Sequence, residues 1–345
     1  IKLCPEAIES NCIYTISCID GVNGDKLSPK WLKDRIEKSG IKSINLLVDL
    51  TNYILLEQGQ PLHAFDKEKL SNLIGKEVSP EDFSVRKAKD NESLVCLDGK
   101  KYELNENITV VTCCDKPIAI AGVMGGFNSA VNEETKTIFI ESAFFDPIVI
   151  RKSSKSLLLS TEASKRYERG ADPQGALLAF WKIINLIEKY ASGSFDGDFL
   201  DVNHTGLNND SITLRASEIE QILGVSFEKD FIVEVLEGLG FTVKVSNDSE
   251  FDCIPPSYRP DVSREIDIIE ELARMKGYDN IPTDDSLYGH FFIEETDPQY
   301  YLQRFRDKLS GLGFFQHYSN SLQDKKTSNL FSNKSIPMLL SLIHI

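Results

Sequence analysis

Residues 46–66 read LLVDLTNYILLEQGQPLHAFD, and no other run limits the fold of this chain so sharply. Leu46, Leu47, Val48, Leu50, Tyr53, Ile54, Leu55 and Leu56 make an apolar element, helix or strand, that has to be buried. Gly59-Gln60-Pro61 breaks it sharply. His63, Phe65 and Asp66 follow the break at once. Polar groups at the end of a buried element are held rigidly, as a binding or catalytic site requires. Taken alone, the run reads more simply as a buried element, a turn and a structurally satisfied histidine.

The totals bound the class. A chain of 345 residues, 41% hydrophobic and 26% charged, is expected to be soluble and globular, with about two to three domains. No run approaches the length of a membrane span, so no membrane partner and a cytoplasmic location are expected. The opening IKLCPEAIES shows no basic segment leading into an apolar one, so no secretory leader is expected, and it lacks an initial Met, as a fragment would. The seven cysteines form no CxxC pair and read as reduced core residues. A net charge of −15 is wrong for non-specific nucleic-acid binding. An RNA partner would have to be met locally or through another chain.

The expected fold class is α+β and multidomain. Residues 12–19 alternate, and Ser28-Pro29-Lys30-Trp31-Leu32 opens a short helix that stops at Gly40. Residues 78–140 hold short β-branched runs separated by turn residues such as Asp98-Gly99 and Gly125-Gly126, a hairpin-rich pattern. Residues 144–190 read as helical, and the Gly, Ser, Asp and Asn of 193–206 read as a domain linker. A helix over 214–223, another over 231–239, strands at 241–245 and 251–254, and a helix opened by Pro260-Asp261 give a winged-helix-like second unit. A further helix starts at 297, and the closing MLLSLIHI completes no element.

Three constellations carry possible chemistry. Asp267, Glu270, Glu271 and Arg274 share one helix face, with Asp261 upstream. Four carboxylates suit magnesium better than zinc. The simpler reading is a solvated face, with Asp261 as N-cap and Arg264 and Arg274 offsetting the acids. Gly122-Val123-Met124-Gly125-Gly126 is not a nucleotide loop, and its glycines suit either a ligand's approach or a plain turn. Glu141, at a strand end, reads either as an acceptor for a ligand hydroxyl or as a surface residue. There is no Ser-His-Asp order, zinc motif or P-loop, so any hydrolysis would use positioned water.

These stretches, taken in order with Tyr167-Glu168-Arg169-Gly170 and Pro256-Ser257-Tyr258-Arg259-Pro260-Asp261, resemble the beta subunits of bacterial phenylalanine–tRNA ligases over about residues 1–320. The resemblance implies a mixed-sheet editing domain of B3/B4 type at 1–200 and a winged-helix-like B5 domain at 208–283. It implies the truncated start of a synthetase-like, non-catalytic module at 284–345. It also implies an alpha-subunit partner in an alpha2-beta2 heterotetramer. There the alpha subunit uses ATP to charge tRNA(Phe) with phenylalanine, and the beta subunit hydrolyses mischarged Tyr-tRNA(Phe).

Editing has a physical reason: an apolar pocket rejects an analogue that only adds a hydroxyl by about a hundredfold. The resemblance assigns the tyrosine hydroxyl to Glu141 and the backbone at Gly125. It puts Asn52 and His63 near the ester and its water, and has Thr161 and Ala163 shape the pocket. Lys42 stands where the family pattern has an arginine that holds the tRNA end; lysine keeps the charge but loses the bidentate fork. Asp261, Asp267, Glu270 and Glu271 become magnesium ligands, the ion shared with the alpha subunit. Two rivals stand beside this reading: a free-standing aminoacyl-tRNA deacylase, and a scaffold subunit with editing lost.

Overall fold

The computed structural model describes residues 2–3, 12–203, 210–283, 289 and 298–316. The chain divides into two compact units, Ile1–Pro282 and Thr283–Ile345. The first unit opens with β1 (Lys2–Leu3), β2 (Ile13–Ile19), α1 (Lys30–Lys38) and α2 (Leu46–Gln58). It continues through β3 (Leu62–Asp66), α3 (Lys67–Ile74), β4 (Phe83–Lys87), β5 (Ser93–Val95) and β6 (Lys101–Glu103). Then come β7 (Thr109–Cys113), β8 (Lys116–Ile120), β9 (Met124–Gly125), β10 (Ile138–Phe144) and the helices α4 (Pro147–Leu157), α5 (Glu162–Tyr167) and α6 (Gly175–Ala191).

The run that opens the sequence argument is a helix followed by a strand. Asn45 caps α2 by accepting from the Val48 amide, and Gly59 at φ +72° closes it in the left-handed conformation. Pro61 then leads into β3, so His63 sits within a strand.

The α2 helix packs beside α1 and α6 on one face of a four-stranded antiparallel sheet, ordered β11-β2-β10-β3, where β11 is Phe199–Asn203. On that face Ala64, Ile138 and Ile140 meet Leu32, Leu50 and Phe180. The other face carries Tyr14, Ile16, Phe65, Phe139 and Ala143 against Phe83, Val111 and Ile118 of a second sheet. That sheet runs β1-β4-β7-β8-β9 and is mixed, since β1 pairs parallel with β4 and the rest are antiparallel. The result is three layers: helices, sheet, sheet. Every residue of β10 is buried because both its faces are covered.

A separate core gathers Leu214, Ile219, Leu236, Phe251, Ile268 and Leu272. It lies among β12 (Ile212–Arg215), α7 (Ala216–Leu223), α8 (Lys229–Gly238), β13 (Thr242–Asn247), β14 (Glu250–Ile254) and α9 (Glu265–Lys276). Its sheet is antiparallel, ordered β12-β14-β13. In the second unit α10 spans Pro298–Gly311, with Tyr301, Leu302 and Phe305 exposed.

Several expectations are corrected. The composition of 193–206 suggested a linker, but Phe199–Asn203 is an edge strand paired with β2. The helix expected over 214–223 begins at Ala216, because residues 212–215 pair with β14. The third helix begins at Glu265, not at Pro260-Asp261, and Asp261 does not cap it. Cys114 is exposed in the β7–β8 turn at φ +47° rather than in the core, and Cys4 lies outside the described residues. Beyond residue 316 the expected synthetase-like start, with MLLSLIHI, also lies outside them. No helix among the described residues is long and apolar enough to cross a membrane.

Candidate functional site

The β3 and β10 strands place His63 and Glu141 directly opposite each other. Both point to the face that meets the second sheet. There they line a cleft with Pro61, Gly125, Ala163 and Tyr167, where the β8–β9 hairpin and α5 close over the sheet. The cavity is about 60 Å³, room for water molecules.

Glu141 is a buried carboxylate. Burial pushes it up to about 7, and the hydrogen bond from the Tyr14 hydroxyl to Oε2, at 2.5 Å, pulls the other way. Burial holds the Tyr14 phenol protonated, far above its usual range. Burial pushes His63 down to about 4, so its ring is neutral at pH 7. His63 is only partly buried as a residue, but Nε2 is sealed from solvent and has no hydrogen-bond partner among the described residues. The ring stacks edge-on against Phe65 with centroids 4.4 Å apart.

Gly125 is glycine because the histidine lies against it. A Cβ there would stand 2.6 Å from His63 Nε2 and closer still to Cε1, a distance that real Cβ atoms do not show. Gly122, at φ +63°, turns the hairpin, and a Cβ there would press on Ile150, Tyr167 and Phe145.

Thr161 caps α5, accepting from the Ser164 amide, while its hydroxyl donates to the Val123 carbonyl at 2.8 Å. It ties the helix to the hairpin and stands behind the wall that Ala163 completes. Two buried groups hold the strand ends. Gln60 Nε2 donates to the Ala143 carbonyl at 2.7 Å, and the Tyr167 hydroxyl donates to the same carbonyl at 2.9 Å. Gln60 Oε1 is buried without a hydrogen-bond partner among the described residues.

The structure therefore brings together His63, Gly125, Glu141 and Ala163, with Thr161 beside them. It does not bring Asn52 or Lys42 to the cleft lining. Asn52 is partly buried on α2, and Lys42 is exposed in the loop before it. That loop is fastened by Asp49, fully buried, which accepts from Ser28 Oγ (2.6 Å), Ser43 Oγ (2.5 Å) and the Ile44 amide (2.9 Å). The sequence alone assigned no role to Tyr14, Gln60 or Tyr167. Gln60 stands inside the break it singled out, but nothing local marks Tyr14.

The acidic face of α9 is arranged differently from the expectation. Arg259 bridges Asp261 (2.7 Å) and Glu271 (2.9 Å), Arg274 also holds Glu271, and Arg264 holds Asp267 (2.9 Å). Arg259 keeps the Asp261 and Glu271 carboxyls below their usual range, and Arg264 does the same for Asp267. Glu270 is exposed. Among the described residues no three His, Cys, Asp or Glu side chains converge to hold a metal ion. As arranged, Asp261, Glu271 and Asp267 are paired with arginine guanidiniums.

Comparison with known proteins fits this architecture. The model of the B3/4 domain matches residues 10–192, more than half of the chain, and that of the tRNA synthetase B5 domain matches 212–278. The phenylalanine–tRNA ligase beta subunit of Prochlorococcus marinus (strain MIT 9312) is 55% identical over 99% of this chain and 43% of its own. That of Prochlorococcus marinus subsp. pastoris (strain CCMP1986 / NIES-2087 / MED4) is 51% identical over 81% and 36%. The one from Protochlamydia amoebophila (strain UWE25) is 40% identical over 96% and 40%. The chain thus spans less than half the length of these curated relatives. With a B3/4 region followed by a B5 region, it belongs to the B3/4 domain family and is a homologue of phenylalanine–tRNA ligase beta subunits.

Proposed function

We propose that this chain supplies the proofreading site of a phenylalanine–tRNA ligase, hydrolysing Tyr-tRNA(Phe). It would work in the cytoplasm, in an alpha2-beta2 heterotetramer whose alpha subunit uses ATP and magnesium to attach phenylalanine to tRNA(Phe). One observation carries the reading: a carboxylate and a neutral imidazole face each other in a cleft walled by glycine and alanine. Glu141 accepts the hydroxyl of a tyrosyl side chain. A phenylalanyl side chain leaves its second oxygen without that donor in a buried place, which is costly and therefore discriminating. His63 is too weak a base for full proton abstraction at pH 7, so it orients the attacking water. Water adds to the ester carbonyl carbon, the bond to the ribose oxygen breaks, and the water's proton ends on that oxygen.

Asn52 and Lys42 act further out, where the ribose and the tRNA end approach; Thr161 and Ala163 limit the pocket. The 212–276 unit is read as winged-helix-like and RNA-facing. The test is deacylation of Tyr-tRNA(Phe) by the complete ligase carrying Glu141→Ala or His63→Ala. A loss on the order of a hundredfold is expected for either. Unchanged rate and unchanged Tyr/Phe selectivity in both variants would refute the assignment.

A further inference from the structure

Tyr14 reaches the site from behind. It is fully buried on β2 and does not line the cleft, whereas Glu141 does. In the sheet register Tyr14 stands opposite Ala143, the next same-face position along β10 from Glu141. The phenol therefore crosses the sheet diagonally to donate to Glu141 Oε2. A phenol has one proton to give and a carboxylate has two oxygens to receive. One oxygen is tied down, and the side chain cannot swing. Among the described residues, the other titratable groups facing Glu141 are His63 from β3 and Tyr167 from α5, with Cys12 and Cys113 around Tyr14. None of them is a cation at pH 7, so Tyr14 is the group that favours the ionised carboxylate.

We propose that Tyr14 is a positioning residue that sets specificity, holding Glu141 as an oriented acceptor with one oxygen kept for the hydroxyl of a phenolic side chain. The inference rests on the reading of the cleft given above. Without Tyr14 the buried carboxyl takes up a proton. A neutral acid both donates and accepts, so it loses much of its preference for a hydroxyl over bare carbon.

The complete ligase carrying Tyr14→Phe is assayed for hydrolysis of Tyr-tRNA(Phe) and Phe-tRNA(Phe) from about pH 5.5 to 8.5, spanning the titration. Glu141→Gln is run alongside, and phenylalanine ligation reports an intact enzyme. Hydrolysis of the tyrosyl ester at pH 7 should fall about tenfold, hydrolysis of the phenylalanyl ester should hold, and the acid limb should rise by about one pH unit. A parallel loss on both esters with an unmoved limb would make Tyr14 merely structural and overturn the proposal. If Glu141→Gln removes the tyrosine preference while Tyr14→Phe changes neither preference nor limb, the role of Tyr14 alone is overturned. If Glu141→Gln leaves the preference intact, the reading of the cleft falls, and this inference with it. Should Tyr14→Phe fold poorly, Tyr14→3-fluorotyrosine keeps the shape with a stronger donor. The limb must then move down, and an unmoved limb overturns the proposal.

Discussion

His63 and Glu141 are direct cross-strand partners, and burial drives their titrations in opposite directions, His63 down to about 4 and Glu141 up to about 7. The ordinary values are 6.5 and 4.5, so each group is displaced toward its neutral form. For His63 the folded value lies below the unfolded one, so stability is full above 6.5 and lost as pH falls toward 4. For Glu141 the folded value lies above, so stability is full below 4.5 and lost as pH rises toward 7. Each effect is about 3 kcal/mol, and the two slopes oppose each other between 4.5 and 6.5. Thermal unfolding of Glu141→Gln should show midpoints dropping with acid, and His63→Asn midpoints dropping with base. Slopes of the same sign in both variants would contradict the assignment.

Gly125 is the contact partner of the histidine ring, and its replacement tests position without removing a polar group. Gly125→Ala should displace His63 and reduce tyrosyl-ester hydrolysis by about a hundredfold. The strain should cost about 1–3 kcal/mol of stability. Phenylalanine ligation should survive. A variant with normal hydrolysis would show that the ring's place is unimportant.

Asp49 serves three donors at once, two of them hydroxyls that can turn to water and one an amide that cannot. Asp49→Ala should lower stability by about 2–4 kcal/mol. It should also loosen the loop that carries Lys42, which hydrogen exchange at Ser43 and Ile44 would register. Protection equal to wild type at those amides would contradict this role.

Arg259 stands between Asp261 and Glu271 where the resemblance expects a magnesium ion. Arg259→Ala should cost about 1–3 kcal/mol, since Glu271 is buried and, among the described residues, keeps only Arg274 as an ion-pair partner. If magnesium has a true affinity for these carboxylates, millimolar additions should restore part of the lost melting temperature. No recovery would remove them as ligands.

Much of this was legible in the residues themselves, and the limits are physical. In 46–66 the buried apolar run and its break at Gly59 are local signals, whereas the residues alone leave open the choice of helix over strand and the strand that follows. His63, Gly125, Glu141 and Ala163 were selected through resemblance and converge in the cleft. The bond between Tyr14 and Glu141 joins positions 127 residues apart. Alternation tells which face a strand residue takes but not which strand lies beside it. Residues 199–203 and 214–215 were misread because short strands owe their form to pairing rather than to propensity. On α9, spacing put Glu271 beside Arg274, and the two are paired. It could not say that Arg259, outside the helix, would reach in to pair with Glu271 and with Asp261 upstream.

The edge strand β11 bears on how the protein can be divided. The B3/4 match ends at residue 192, but the sheet does not. Strand β11 covers the outer edge of β2, Asp201 accepts from the buried Thr15 hydroxyl at 2.5 Å, and the Asp198 carbonyl accepts from Ser17 at 2.8 Å. A recombinant piece cut at 192 would leave Tyr14's strand with a bare row of amides and carbonyls, a template for pairing with other chains. It would precipitate or swap strands before any question about proofreading could be asked of it. The shortest piece that keeps the site on the whole four-stranded sheet runs through residue 203.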